Sequence, residues 1–414
     1  MIIGVPREVI SGETRVGLVP ETLDRLKKAQ VDILVETGAG DASLSPDAAY
    51  LDAGARIAVD AAEVYSQADL IVTVRELAPH PTLDAHESKL IKEGGALTSL
   101  FFPAEPSTVE TLQSRRVSAF AMELMPRITR AQSMDVLSSM SSIAGYKAVL
   151  KAADCLPRYF PMLMTAAGTI TAARVLILGA GVAGLQAIAT ARRLGAIVEA
   201  FDIRPVVKEQ VESLGARFVE LEVDTGDAQD KGGYAKEQTQ DTQDKIRQLL
   251  HDHIRKSDVV VTTALIPGKK APVLVTPDMV RDMRPGSVIV DLAAGQGGNC
   301  ELSKPGEDVI ENGVRILGPT NLPGDMAYQS SQLYSRNLTE FLLHLVDDEG
   351  ELKIDVEDEL TRGPLVTHAG DILHEPTANM VSADAAPEPT GTSQESDATE
   401  EATEAEAASE GGDA

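Results

Sequence analysis

Short apolar runs alternate with stretches of helical spacing along most of the chain. The N-terminal "MIIGVPREV" reads as a first strand, and "DILVETG" (32–38), "ADLIVTVREL" (68–77) and "GALTSLFFP" (95–103) read as later ones. Amphipathic stretches such as "PETLDRLKKAQ" (20–30) lie between them. A second series runs through "ARVLILGAG" (173–181), "IVEAFDIR" (197–204), "DVVVTTALI" (258–266), "GSVIVDLA" (286–293) and "GVRILGPTN" (313–321). Its first helix is "GLQAIATARRLGA" (184–196), with Gly195 as the stop. Strands separated by helical patterns predict βαβ units and parallel sheets. The expected fold is α/β, with two doubly wound Rossmann-like domains and a cleft between them.

Two long helical stretches affect the division into domains. Residues 139–165, beginning "SMSSIAGYKAVLKAAD", read as helix. "QSSQLYSRNLTEFLLHLV" (329–346) reads as one amphipathic helix, long enough to carry the chain back to the first unit. The first domain is therefore expected to be discontinuous, residues 1–140 plus 327–380. The second domain, 141–326, is inserted into it.

Composition narrows the function classes. The chain has 414 residues and a net charge of −27, and residues 381–414 hold ten acidic residues with no Lys or Arg. So acidic a surface argues against nucleic acid as a partner. The low-complexity tail 381–414 buries too little apolar area to offset its chain entropy and is expected to be disordered. No run of 18 apolar residues occurs, and the N-terminus lacks the basic and long apolar parts of a signal peptide, so no direct membrane insertion is expected. The two cysteines, Cys155 and Cys300, fit a reducing compartment and offer no metal-binding pair. No metal is expected.

The candidate chemistry begins with Gly179, Gly181 and Gly184, a G-x-G-x-x-G set directly after the apolar strand "RVLIL". Gly179 permits a tight turn. Gly181 lets the backbone, with Ala180 and Val182, approach a pyrophosphate, and Gly184 lets the helix pack on the strand. The helix opening there aims its first amides at the phosphates. Asp202 ends the next strand, 18 residues after Gly184, where an acidic side chain takes the adenosine ribose hydroxyls and repels a 2′-phosphate. NAD(H) is therefore favoured over NADP(H). Ile203 and Arg204 follow, and an arginine there is also able to hold such a phosphate. Ala264 and Leu265, after a later strand, are placed to cover the cofactor. Lys269 and Lys270 read as surface charge.

Two polar segments allow two readings each. "DKGGYAKEQTQDTQDK" (230–245), with Gly233 and Tyr234, is either a surface loop or a lid over a ligand. "RITRAQSMDVLSSM" (127–140) concentrates Arg127, Gln132, Asp135 and Ser138 between the two series of strands. On a helix, Gln132, Asp135 and Ser138 share one face. Gln132 suits a carboxamide, and Arg127 suits Asp135 or a phosphate. The plain alternative is a capped helix start with a surface ion pair.

These motifs, together with "GVPRE", "ETRV", "AGYKAV", "KEQVESLGA", "GGYAK" and "TTALIPGK", resemble the NAD(H)-binding alpha subunits of proton-translocating nicotinamide nucleotide transhydrogenases. The resemblance runs from Met1 to about residue 375. It implies that Ile128, Thr129 and Arg130 belong, with Arg127, Gln132 and Asp135, to a loop contacting the nicotinamide end. Ser138 lies near the ring and Tyr234 on a mobile loop. It further implies hydride transfer from NADH to NADP(H) bound by a beta subunit, and coupling to proton movement through a membrane-spanning subunit. A homodimer on the cytoplasmic membrane face, held there by those partners, is implied as well. The related alanine dehydrogenases carry a Lys where this chain has Arg75 and a His where it has Phe101. That departure argues against a free-standing amino-acid dehydrogenase, since a keto acid would lack its general acid. Gly295 departs from the transhydrogenase pattern, which leaves that loop's contact open. The segment 127–135 disfavours a nucleotide sensor without catalysis.

Overall fold

The computed structural model describes residues 1–103, 105–220, 240–266 and 270–384. Gly233, Tyr234, Lys269 and most of the acidic tail lie outside the described residues. The helix Glu375–Asp384 takes in the first four residues of the stretch expected to be irregular.

Six strands come first: β1 (Ile2–Val5), β2 (Asp32–Glu36), β3 (Arg56–Ala58), β4 (Leu70–Val72), β5 (Ala96–Ser99) and β6 (Ser118–Ala121). A two-stranded hairpin follows, β7 (Leu163–Thr165) with β8 (Gly168–Ile170). Next come β9 (Arg174–Leu178), β10 (Ile197–Phe201), β11 (Arg217–Phe218), β12 (Val259–Thr262), β13 (Val288–Asp291), β14 (Asp308–Glu311) and β15 (Val314–Leu317). The chain then returns with β16 (Leu365–His368) and β17 (Asp371–Ile372).

These strands form two large sheets, ordered β17-β16-β6-β5-β4-β1-β2-β3 and β11-β10-β9-β12-β13-β15-β14. Both are parallel except at an edge. Strand β16 runs antiparallel to β6 and β17, and β14 runs antiparallel to β15. Each sheet is covered on both faces. In β9, Val175 and Ile177 enter one core while Leu176 and Leu178 enter the opposite one, the two-residue alternation of a strand buried on both sides.

The helical reading of 139–165 needs correction. The helix is Val136–Cys155. Leu156 leaves it in an extended conformation before Pro157, which restricts the residue preceding it to that region. The rest of the expected helix is a connection and the β7–β8 hairpin. The shared face of Gln132, Asp135 and Ser138 is corrected too. Thr129–Met134 is a 3-10 turn, and Asp135 caps the helix rather than lying within it.

This helix belongs to both cores. Val136, Met140 and Ile143 pack into the first sheet's core, whereas Ala148, Val149 and Ala152 pack into the second's. At Gly145 it meets the helix Val182–Arg193 with no side chain between them, since a Cβ there would lie 2.0 Å from the Ala183 carbonyl oxygen. One rigid element thus spans from the 127–138 segment to the glycine-rich turn. At 1.5 Å per residue, Ser138 lies about 10 Å along the axis from Gly145.

Candidate functional site

The glycine-rich turn sits where the second sheet's connections reverse direction, between β9 and its neighbours β10 and β12. In open α/β sheets ligands lie at the carboxyl ends of strands at such a point. Gly179 has φ +102°, and its carbonyl oxygen accepts a hydrogen bond from Thr263 Oγ1 at 3.0 Å. A Cβ at Gly184 would meet that same oxygen at 1.8 Å, so the helix packs directly on the turn. A Cβ at Gly181 would meet nothing within 4 Å. The N-terminus of Val182–Arg193 opens there without a side-chain cap, leaving its first amides for an outside acceptor. A tight turn, a helix start lacking a cap and open space at the middle glycine fit a dinucleotide's phosphates. Ala180 is buried, and Val182 is partly exposed beside the turn.

Asp202 follows β10 and is 9% exposed. Its Oδ2 accepts from the Ala180 amide at 2.8 Å, which ties strand end to glycine turn. Arg204 closes on it through Nε at 2.8 Å and Nη2 at 2.7 Å, with the Arg204 amide on Oδ1 at 2.9 Å. Ile203 packs against the second sheet's core.

Two buried residues without any distinguishing sequence motif brace the loops around this turn. Asn299 is fully buried. Its Oδ1 accepts from the Ala264 amide, and its Nδ2 donates to the carbonyls of Ala264 and Pro272 at 2.8 and 2.7 Å. Asp291, also fully buried, accepts from Thr262 Oγ1, the amides of Ala293 and Cys300, and Ser303 Oγ. Four donors satisfy a carboxylate that would otherwise be costly to bury. Leu265, half-buried, leaves the loop that Asn299 holds. The only advance sign of these braces is that both lie in the polar loop "DLAAGQGGNCE" after a strand.

In the 127–138 segment, Ala131 and Met134 are buried, while Arg127, Thr129, Arg130 and Gln132 are exposed and Ile128 is half-buried. Asp135 Oδ1 accepts from the Ser138 amide at 2.8 Å, and Oδ2 accepts from Ser138 Oγ at 2.5 Å. The capped-start alternative therefore describes the Asp135–Ser138 pair, and Arg130 makes the surface ion pair, with Asp358 at 3.1 Å. Asn337, on the helix Ala327–His344, donates to the Ser133 carbonyl at 2.7 Å and accepts from Ser139 Oγ at 2.6 Å. The segment is thus pinned on both sides while Gln132 stays exposed at its crest.

A third group lies at the carboxyl end of the first sheet. Arg15 forks onto Glu13 at 2.7 and 2.6 Å, and Arg75 forks onto Glu76 at 2.8 and 2.7 Å. Glu8 accepts from the amides of Val74 and Arg75. Burial pushes its carboxyl up to about 8. Burial also raises Glu13, but the Arg15 fork outweighs it and holds that carboxyl below its ordinary value. Phe101 is buried in the core with Leu77 and Val109. Among the described residues no group of metal-ligating side chains occurs, and no helix is long and apolar enough to cross a membrane.

Comparison with known proteins agrees with this architecture. The alanine dehydrogenase/PNT N-terminal domain matches residues 4–144 and the corresponding C-terminal domain matches residues 148–375. An NAD(P) transhydrogenase alpha subunit of Rhodospirillum rubrum is 48% identical over 378 residues, 90% of this chain and 98% of the relative. The alanine dehydrogenase of Halomonas elongata is 30% identical over 387 residues, 91% of this chain and 96% of the relative. The crystal structure of transhydrogenase from Sinorhizobium meliloti is 44% identical and superposes with a TM-score of 0.80, covering 90% of this chain and all of that one. The chain belongs to the alanine dehydrogenase/PNT family, on the branch of the NAD(P) transhydrogenase alpha subunits.

Proposed function

We propose that this chain is the NAD(H)-binding part of a proton-translocating transhydrogenase. It presents the nicotinamide ring of NADH to NADP⁺ held by a beta subunit, and transfer is coupled to proton movement through a membrane-spanning partner. The chain acts as a homodimer at the cytoplasmic membrane face. The observation that carries this reading is the single helix Val136–Cys155, which joins the 127–138 segment to the helix behind the glycine turn.

The nicotinamide cofactor supplies the hydride chemistry. The chain's own residues bind and orient. Gly179, Ala180, Gly181, Val182 and Gly184 offer backbone amides to the phosphates, Asp202 and Ile203 face the adenosine ribose, and Ala264 and Leu265 cover the cofactor. Arg127, Ile128, Thr129, Arg130, Gln132, Asp135 and Ser138 hold the nicotinamide end, and Gly233 and Tyr234 close over it. No acid or base is required. The protein's contribution is near-attack placement and exclusion of water. Mixing the pure chain with an NADP(H)-binding partner domain and following transfer from NADH to an NADP⁺ analogue tests this; no transfer in a complex that forms would refute it.

Two binding and activity results are expected. NADH binds the lone chain more tightly than NADPH, because a carboxylate at position 202 repels a 2′-phosphate, and Asp202→Ala narrows the difference. Equal affinities in a fluorescence titration of the unmodified chain would count against the assignment. L-Alanine does not support NAD⁺ reduction. Arg15 and Arg75 are already paired with Glu13 and Glu76, and Phe101 offers no proton. Turnover of about 1 s⁻¹ or more with L-alanine would favour the dehydrogenase reading instead.

A further inference from the structure

Asp202 is saturated before any nucleotide arrives. A carboxylate offers about four lone-pair sites. Here four donors use them: the Ala180 amide and Arg204 Nη2 on Oδ2, and the Arg204 amide and Nε on Oδ1. The two side chains are largely withdrawn from water, 15% exposed for Arg204 and 6% for Asp202. A ribose diol needs two of those sites. The two backbone amides belong to the turn and the strand end and cannot withdraw without dismantling them. The guanidinium sits on a flexible stem and is the partner able to move.

We propose that Arg204 is a displaceable partner of Asp202, a specificity-determining residue that competes with the adenosine ribose for this carboxylate. This rests on the reading of the glycine turn as the NAD(H) site. Before nucleotide binds, the fork keeps a buried charge compensated. On binding, the ribose hydroxyls take over the sites that Nε and Nη2 release. The cost of opening the fork is subtracted from NADH affinity, which keeps binding readily reversible. The same cation also partly offsets the repulsion Asp202 exerts on a 2′-phosphate, so discrimination against NADPH is weaker than the carboxylate alone would give.

The test uses the full chain and needs no catalysis. Equilibrium binding of NADH and NADPH is measured by fluorescence titration, with the thermal midpoint recorded for each variant with and without NADH. Arg204→Met keeps most of the stem and removes the competitor. NADH should bind about three- to tenfold more tightly, and NADPH should gain less than NADH, so the ratio widens. Leaving Asp202 uncompensated should lower the midpoint of the nucleotide-free variant by about 2–4 °C, and NADH should raise it by more than in the unmodified chain. Arg204→Lys keeps the charge but loses the fork, so NADH should bind about two- to threefold more tightly; this variant carries the test if the methionine form does not fold. Unchanged or weaker NADH binding in the variant would overturn the proposal, since Arg204 would then be inert or a direct ligand of the nucleotide. A gain for NADPH equal to or larger than that for NADH would also overturn it. If the unmodified chain bound no NADH, the functional reading itself would fail, which is a distinguishable result.

Discussion

Gln132→Asn is expected to lower hydride transfer at least about 100-fold while NADH affinity changes by less than about tenfold. The substitution keeps the amide and withdraws it by one methylene, and a misplacement of about 1 Å can cost that much rate. The backbone beneath it should not follow. Ala131 and Met134 are buried on either side, Asn337 holds the Ser133 carbonyl, and Arg130 is tied to Asp358. Gln132 itself is exposed, so the thermal midpoint should stay where it is. Most of a dinucleotide's contact area belongs to its phosphate and adenosine ends, so a group that only orients the ring costs rate more than affinity. Single-turnover transfer in the reconstituted complex, beside NADH binding to the lone chain, separates the two effects. A variant that loses binding while its bound fraction reacts at the normal rate would make the segment a binding clamp instead.

Gly184→Ala should damage both stability and binding. The added Cβ would stand 1.8 Å from the Gly179 carbonyl oxygen and 2.8 Å from its carbon, both backbone atoms that cannot swing aside. The helix Val182–Arg193 cannot easily retreat, because Gly145 packs against Ala183 from another side. Overpacking of this kind costs about 1–3 kcal/mol. The shift displaces the amides facing the phosphate site, and hydrogen bonds to charged groups are worth about 1.5–3 kcal/mol each. Losing one or two of them corresponds to an NADH affinity about 100-fold lower. Calorimetry and NADH titration read the two effects separately. Normal affinity with an unchanged midpoint would mean that the turn has slack the geometry denies.

The segment 127–138 shows why local pattern and site geometry are different kinds of information. Residue types alone leave it between a nicotinamide loop and a capped helix start with an ion pair. In the folded chain Asp135 and Ser138 form the cap, Arg130 forms the ion pair, and Gln132 remains outside both. Capping and ligand contact are compatible because a cap also fixes where the preceding turn points.

Elements whose cause is local were legible in the amino-acid order alone. Alternating apolar runs specify the strands that build both sheets. Gly179 and Gly184 specify a turn that tolerates no Cβ, and Gly195, at φ +90°, stops the helix after it. The helix Ala327–His344 follows from its apolar spacing. Other features emerge only on folding, because they depend on partners far apart in sequence. Helix spacing continues past Cys155, yet the helix ends there. Asn299 braces Ala264 across 35 positions, and Asn337 holds Ser133 across 204. The antiparallel return of β16 beside β6 and the saturation of Asp202 by Arg204 are likewise absent from any periodicity. Periodicity records which face of an element is buried. It does not record which buried polar group finds which donor, because that depends on how separately encoded elements dock.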